Sequence, residues 1–143
     1  MVKLSEIATD LNAEEEGVWA EYVPGFKVKI ASTATRAFKE AVEKAHAPYL
    51  ELMRSDSGKP AEERKFTREM RQKIVREITS RLIVRDWIGW EGDDGKQVPY
   101  SPEKALEVLS DPRFHRLESW IDSIASSDEA YRLARVERDR KNS

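Results

Sequence analysis

The sequence predicts an α+β domain that is mostly helical, in which one N-terminal β-hairpin, at about residues 18–31, packs on four or five helices. Two patterns predict this class. Apolar and polar residues alternate on both sides of Pro24-Gly25, which is typical of two strands joined by a tight turn. Further along the chain, apolar residues recur three and four positions apart, which is typical of amphipathic helices. With 143 residues, the chain has the length of one domain of ordinary size.

The hairpin is predicted from six alternating apolar residues, which are Val18, Ala20, Tyr22, Phe26, Val28 and Ile30. An isolated hairpin is only marginally stable in water. We therefore expect it to pack on a helix or to pair with another strand.

The first long helix is predicted over residues 33–54, with Ser32 or Thr33 as its N-cap. Pro48 has no backbone N–H to donate, so we expect it to kink or end this helix near Ala47.

A second long helix is predicted from Ala61 to about Ile88, after a loop at residues 55–60. Its apolar stripe advances in four-residue steps through Phe66, Met70, Ile74, Ile78 and Leu82. A helix over this range would extend about 42 Å, whereas a globular chain of this length is only about 37 Å across. We therefore expect the helix to break, or to protrude and be covered by an oligomer or another partner.

The remaining elements are predicted from turn and cap signals. Residues 89–100 read as a loop, and Ser101-Pro102 and Asp111-Pro112 each place an N-cap before a proline, which predicts two further helices. In outline, we predict an acidic, partly mobile arm at 1–16, a single globular domain at 17–126 and a polar tail, helical or frayed, at 127–143.

Composition restricts the classes of function. Charged residues make up 36% of the chain but nearly cancel to a net charge of −2, which argues against sequence-independent coating of nucleic acid. The absence of cysteine excludes disulfides, thiolate metal sites and cysteine nucleophiles. No apolar run is long enough to span a membrane, and the first residues lack the features of a signal peptide. We expect a soluble intracellular protein.

No catalytic, cofactor-binding or metal-ligating residue is predicted. His115, Glu118 and Asp122 share one helix face and could orient a base or hold a metal, but such polar faces are usually solvated. The acidic loop before Gly95 does not have the ligand spacing of an EF-hand. We therefore predict that the protein is not an enzyme and has no cofactor, with a hydrolase acting through His115 as the least favoured alternative.

Basic residues are concentrated in the second long helix. Residues 61–86 hold eight basic and five acidic side chains, a net charge of +3. A helix with interleaved charges of both signs is more often a solvated face than a DNA-binding ridge. A small regulatory module that binds nucleic acid through the Arg64–Arg85 helix is therefore the alternative function rather than the first one.

The stretch after Leu82 carries four short motifs, which are Asp86-Trp87-Ile88-Gly89, Asp94-Gly95, Val98-Pro99-Tyr100-Ser101-Pro102-Glu103 and Leu109-Ser110-Asp111-Pro112. With these motifs, and with Phe26-Lys27-Val28-Lys29 and Ala37-Phe38 upstream, the chain resembles tail assembly chaperones of long-tailed bacteriophages and prophages over about residues 17–126.

The resemblance implies a non-enzymatic protein that binds the tape measure protein during tail morphogenesis, with the tail tube subunits as a second partner. It also implies residence in the host bacterial cytoplasm, absence from the mature virion, and a longer product made by ribosomal frameshifting near the end of the short form. A chaperone of this kind needs dilute apolar surface ringed by charge. We accordingly predict that partner contacts are made by Phe66, Met70, Ile74, Ile78, Leu82, Trp87 and Trp90. Self-association is left open.

Overall fold

The computed structural model of the protein describes residues 1–142 and confirms the predicted α+β class. A three-stranded antiparallel sheet is formed by β1 (Val18–Val23), β2 (Phe26–Ile30) and β3 (Val84–Ile88), in the order β1-β2-β3. The α-helices are α1 (Leu4–Ile7), α2 (Leu11–Glu16), α3 (Arg36–His46), α4 (Leu50–Ser55), α5 (Arg68–Ile78), α6 (Pro102–Ser110), α7 (His115–Ala125) and α8 (Leu133–Lys141).

The hairpin is found where it was predicted, and it is completed by a third strand. Val28 and Ile30 on β2 are buried, and they face Ala20 and Val18 on β1. The other face of β2 carries Lys27 and Lys29. The sheet therefore has an inner face, which joins the core, and an outer face, which carries charged side chains.

The prediction of one continuous helix from Ala61 to about Ile88 is wrong. The α-helix α5 covers only Arg68–Ile78, a π-helical turn follows at Thr79–Ile83, and the chain then continues as strand β3. Strand β3 forms because it pairs with β2, which places Trp87 opposite Val28 on the inner face. Pairing with β2 thus overrides the helical spacing of the apolar residues, and the helix breaks as its excess length had suggested.

The predicted interruption at Pro48 is confirmed, but the predicted cap of that helix is wrong. A 3₁₀ turn at Ala47–Tyr49 separates α3 from α4. The N-cap is Thr35, whose hydroxyl oxygen accepts from the Phe38 N–H at 3.2 Å. Ser32 instead donates its hydroxyl to Glu14 and is held beside α2.

The loop at residues 89–100 is folded around Trp87. The Trp87 indole N–H donates to the Val98 carbonyl at 2.8 Å, and its ring lies 5.1 Å from those of Trp90 and Tyr100. The Tyr100 hydroxyl donates to the Val84 carbonyl at the start of β3. These contacts bring α6 and α7 over the inner face of the sheet, where they complete the main core.

Both predicted proline-associated caps are confirmed. The Ser101 hydroxyl accepts from the Lys104 N–H at 3.0 Å and begins α6. Asp111 accepts from the Arg113 N–H at 3.0 Å and begins a 3₁₀ turn that leads into α7.

The two ends of the described chain pack on each other. Ala13 and Tyr131 are buried together with Ala130 and Val136 in a second apolar cluster. The Asp10 N–H donates to the Tyr131 carbonyl at 2.8 Å, and the Tyr131 hydroxyl donates to the Ile30 carbonyl at 2.8 Å. Burial raises the pKa of the Tyr131 hydroxyl, which extends the pH range over which it can donate this hydrogen bond. Segment 1–16 is thus attached to α8 and to the sheet, and the division into arm, domain and tail stays a prediction.

Gly89 closes the corner between β3 and the loop. Its φ is +82°, and a Cβ atom at this position would lie 1.7 Å from the carbonyl oxygen of Gly25 in the hairpin turn. Gly95 has a similar φ of +75°, but nothing lies within 4 Å of its missing Cβ. A side chain at Gly89 would therefore meet both a steric clash and an unfavourable φ, whereas a side chain at Gly95 would meet only the unfavourable φ.

We expect Gly89→Ala to lower the free energy of unfolding by about 2–4 kcal/mol, because the left-handed backbone conformation and a backbone clash add up. Gly95→Ala is the matched control and should cost only about 1 kcal/mol, the conformational part alone. Urea denaturation of both variants measures the difference. Equal losses at the two positions would show that the close approach of the corner to the hairpin turn is not a constraint.

Candidate partner-binding surface

The residues predicted to contact a partner do not lie on one exposed face. Phe66, Ile78 and Trp87 are buried. Phe66 packs against Tyr49 with 5.2 Å between ring centroids, and its N–H donates to Asp56 at 2.8 Å. The other four, which are Met70, Ile74, Leu82 and Trp90, are half-buried. The seven residues are divided among a turn, α5, the π turn, β3 and the loop, and their partner role stays a prediction.

The exposed apolar side chains are concentrated at the start of the chain. Of the ten large apolar residues that are exposed within residues 1–142, eight lie within residues 1–23: Met1, Val2, Leu4, Ile7, Leu11, Trp19, Tyr22 and Val23. The short apolar spacing of Leu4, Ile7 and Leu11 is visible in the sequence. The spacing indicates a helix, but it does not tell whether the apolar face is buried or exposed.

A cleft of about 470 Å³ lies beside these residues, between α2, the hairpin and α8. The apolar residues of its lining are Ala13, Val18, Trp19 and Val136. The charged residues of its lining are Glu21, Lys27, Asp139 and Arg140, two acids and two bases. Because α1 packs on α8, the exposed apolar residues of 1–11 border the helix that lines this cleft. We call the exposed apolar residues of 1–11 and the cleft together the amino-terminal surface.

The outer face of the hairpin contributes to this surface through its register. Trp19 pairs with Lys29 and Glu21 pairs with Lys27, on the face opposite the buried Val28 and Ile30. The large ring of Trp19 thus stands between charged neighbours and is 45% exposed. An exposed tryptophan in a partly apolar cleft is typical of a protein–protein contact.

A second cleft, of about 310 Å³, lies between α5 and α7. Its wall holds a two-pronged ion pair, in which Arg76 donates to both carboxylate oxygens of Glu118 at 2.6 and 3.1 Å. The hydrogen bonds that Arg76 donates to Glu118 raise the pKa of Arg76. Burial, together with the charge of Glu118, raises the pKa of Asp122 against the opposing effect of Arg76.

This ion pair occupies one of the three residues on the helix face that carries His115, Glu118 and Asp122. Glu118 is bound to Arg76, while His115 is exposed at the start of α7. Within residues 1–142, no three histidine, cysteine or acidic side chains converge as a metal site would require. The arrangement is that of a contact between two helices.

The arginines of residues 64–85 do not form the single basic helix that the nucleic-acid alternative requires. Arg64 donates to the Lys59 carbonyl, Arg81 pairs with Glu77 in the π turn, and Arg85 lies on β3. Arg76 on α5 is paired with Glu118. These four arginines therefore lie on four different segments of the chain.

Comparison with known proteins identifies one family. The family model described as YdaY prophage protein matches residues 32–142, more than half of the chain. No curated protein and no solved structure matches the chain. None of the helices within residues 1–142 combines the length and apolar character that a bilayer crossing requires.

We expect Glu118→Gln to lower the free energy of unfolding at neutral pH by about 1–3 kcal/mol, because it removes a charge-assisted pair that is largely shielded from water. Asp122→Asn is the matched control on the same helix and should be neutral or stabilising at neutral pH. The pKa of Asp122 is raised in the folded state, so its contribution to stability is present at low pH and is lost as pH rises through that pKa.

Urea denaturation of both variants at neutral pH and at about pH 4, near the ordinary pKa of aspartate, measures these effects. The advantage of Asp122→Asn should shrink at the lower pH. A loss of stability for Asp122→Asn that equals the loss for Glu118→Gln would contradict the assignment of Glu118 as the partner of Arg76.

Proposed function

The chain belongs to the YdaY prophage protein family, and from this premise we propose that it is a tail assembly chaperone. In this proposal the protein is not an enzyme and needs no cofactor. It binds the tape measure protein, and the tail tube subunits as a second partner, while the tail is assembled in the cytoplasm of the host bacterium. It is released before the virion is complete.

The observation that carries the proposal is the amino-terminal surface. A long helical client with an apolar stripe must be covered until its tube is built, and a groove lined by both apolar and charged side chains suits such a helix. The cleft provides both kinds of contact, because Trp19 and Val18 line it together with Glu21 and Lys27. The exposed side chains of residues 1–11 extend the apolar area beyond the cleft.

The motifs that carry the resemblance support the proposal indirectly. Trp87 and Tyr100 attach β3 and the loop to the inner face of the sheet, and Gly89 lets the corner approach the hairpin turn. These residues hold the hairpin from its inner side. The outer face, which carries Trp19, is thereby left for a partner.

The predicted partner stripe has a different part in this proposal. Of the buried members, Trp87 belongs to the core that supports the hairpin, whereas Phe66 packs against Tyr49 and Ile78 is buried on α5. Met70, Ile74, Leu82 and Trp90 are half-buried and offer the client a smaller contact than the amino-terminal surface does.

Co-expression of the tagged chain with the tape measure protein of the same prophage tests the proposal. We expect the two to co-purify at about 0.15 M and at about 0.5 M salt, because apolar contacts are not screened as charge contacts are. Recovery of nucleic acid alone, lost at the higher salt concentration, would contradict the proposal and would favour the nucleic-acid alternative.

We expect Ile7→Glu to abolish or strongly reduce this co-purification while the free energy of unfolding stays within about 0.5 kcal/mol of the unmodified chain, as for other exposed substitutions. Leu50→Glu is the matched control, because Leu50 on α4 is 53% exposed and Ile7 is 55% exposed. Leu50→Glu should leave binding unchanged. Equal loss for the two variants would show that the client does not select the amino-terminal surface.

A further inference from the structure

Strand β1 is an unprotected edge of the sheet. It pairs with β2 on one side only, and within residues 1–142 its backbone makes no hydrogen bond to any other segment. Trp19 is 45% and Val23 is 50% exposed. Natural edge strands are usually protected by several charges, by proline or by a covering segment. Strand β1 holds one charged residue, Glu21, and no proline.

We propose that β1 pairs antiparallel with β1 of a second copy of this chain, so that two three-stranded sheets form one six-stranded sheet across a two-fold axis. The unsatisfied groups at a strand edge are backbone N–H and C=O groups, which only an extended chain can pair along their whole length. A second copy supplies such a chain, and a two-fold axis lets both copies bury the same edge.

The sequence of β1 selects one register. Residues that face each other must lie on the same face of the sheet, so the axis must pass through a residue of β1. An axis at Glu21 would place two carboxylates directly opposite each other, which is destabilising. An axis at Trp19 would place Glu21 opposite Gly17, whose φ of +98° is not that of a strand. An axis at Ala20 pairs residues 18 to 22 completely.

The register centred on Ala20 also matches the charges of the outer face. It places Trp19 opposite Glu21 of the second copy, and Val18 opposite Tyr22. Within each chain Trp19 already lies beside Lys29, and Glu21 beside Lys27. Across the interface, each row of side chains on the outer face therefore consists of Lys29 and Trp19 of one copy, followed by Glu21 and Lys27 of the second copy. No two like charges are neighbours in this row.

This pairing goes beyond the proposed chaperone function, since it concerns the protein alone. It would place two clefts in one assembly, because each cleft is lined by the hairpin of its own chain. Two linked weak sites hold an extended client with higher avidity than either one.

Cysteine cross-linking tests the register, because the chain has no cysteine of its own. In the proposed pairing the two Ala20 Cα atoms face each other at about 4.5–5.5 Å, a distance that a disulfide spans. We expect Ala20→Cys to form a covalent dimer under mild oxidation. Val23→Cys is the matched control on the same strand, because its two copies would lie about 20 Å apart. Cross-linking of Val23→Cys as fast as Ala20→Cys, or of neither, would overturn the proposal.

Sedimentation of variants at Trp19 provides a second measurement. Trp19→Glu would face Glu21 of the second copy but would pair with Lys29 in its own hairpin, so it should fold and be monomeric. Trp19→Gln introduces a side chain of the same size as glutamate but without its charge, and this variant should retain a weakened dimer. The proposal would be overturned if the unmodified chain stays monomeric throughout the micromolar range. It would also be overturned if Trp19→Glu and Trp19→Gln weaken the dimer equally.

Discussion

Strand β3 pairs with β2 from Val84 to Ile88, and the rest of the structure depends on this pairing. A hairpin alone is marginally stable, and a third strand with an apolar face makes a sheet that can support a core. The pairing places Trp87 opposite Val28, and the Trp87 indole N–H donates to the Val98 carbonyl and so attaches the loop. The loop delivers α6 and α7 to the inner face. Removing β3 would therefore free the hairpin, the loop and both helices together.

The same pairing determines which surfaces remain available to partners. Because the inner face of the sheet is occupied by α6 and α7, the outer face and the edge of β1 are left exposed. The N- and C-terminal segments then close one end of the sheet, where Tyr131 donates to Ile30. This closure leaves a cleft instead of a filled contact, and it leaves the apolar side chains of residues 1–11 outside the second cluster. Membership of a prophage family and this exposed surface are the two observations on which the proposed role in assembly rests.

Signals that act within a few residues of each other could be predicted from the sequence. The turn at Pro24-Gly25, the interruption at Pro48 and the caps at Ser101 and Asp111 are of this kind. Strand β3 could not, because its apolar residues also fit a helical spacing and its strand form comes from a partner more than fifty residues earlier. The candidate surface was missed for a related reason. Apolar spacing identifies Phe66 and Ile7 alike, but only the packed structure buries Phe66 and leaves Ile7 exposed.

Hydrogen exchange of the full chain, alone and after co-expression with the tape measure protein of the same prophage, can locate the surface that binds the proposed client. We expect binding to slow exchange in residues 1–23 and in α8, the segments that form the amino-terminal surface, at low and high salt alike. We expect little change in α5 and β3, which lie outside the amino-terminal surface. Slowed exchange confined to residues 64–85, and lost at high salt, would contradict the account, because it would assign the binding site to the arginines.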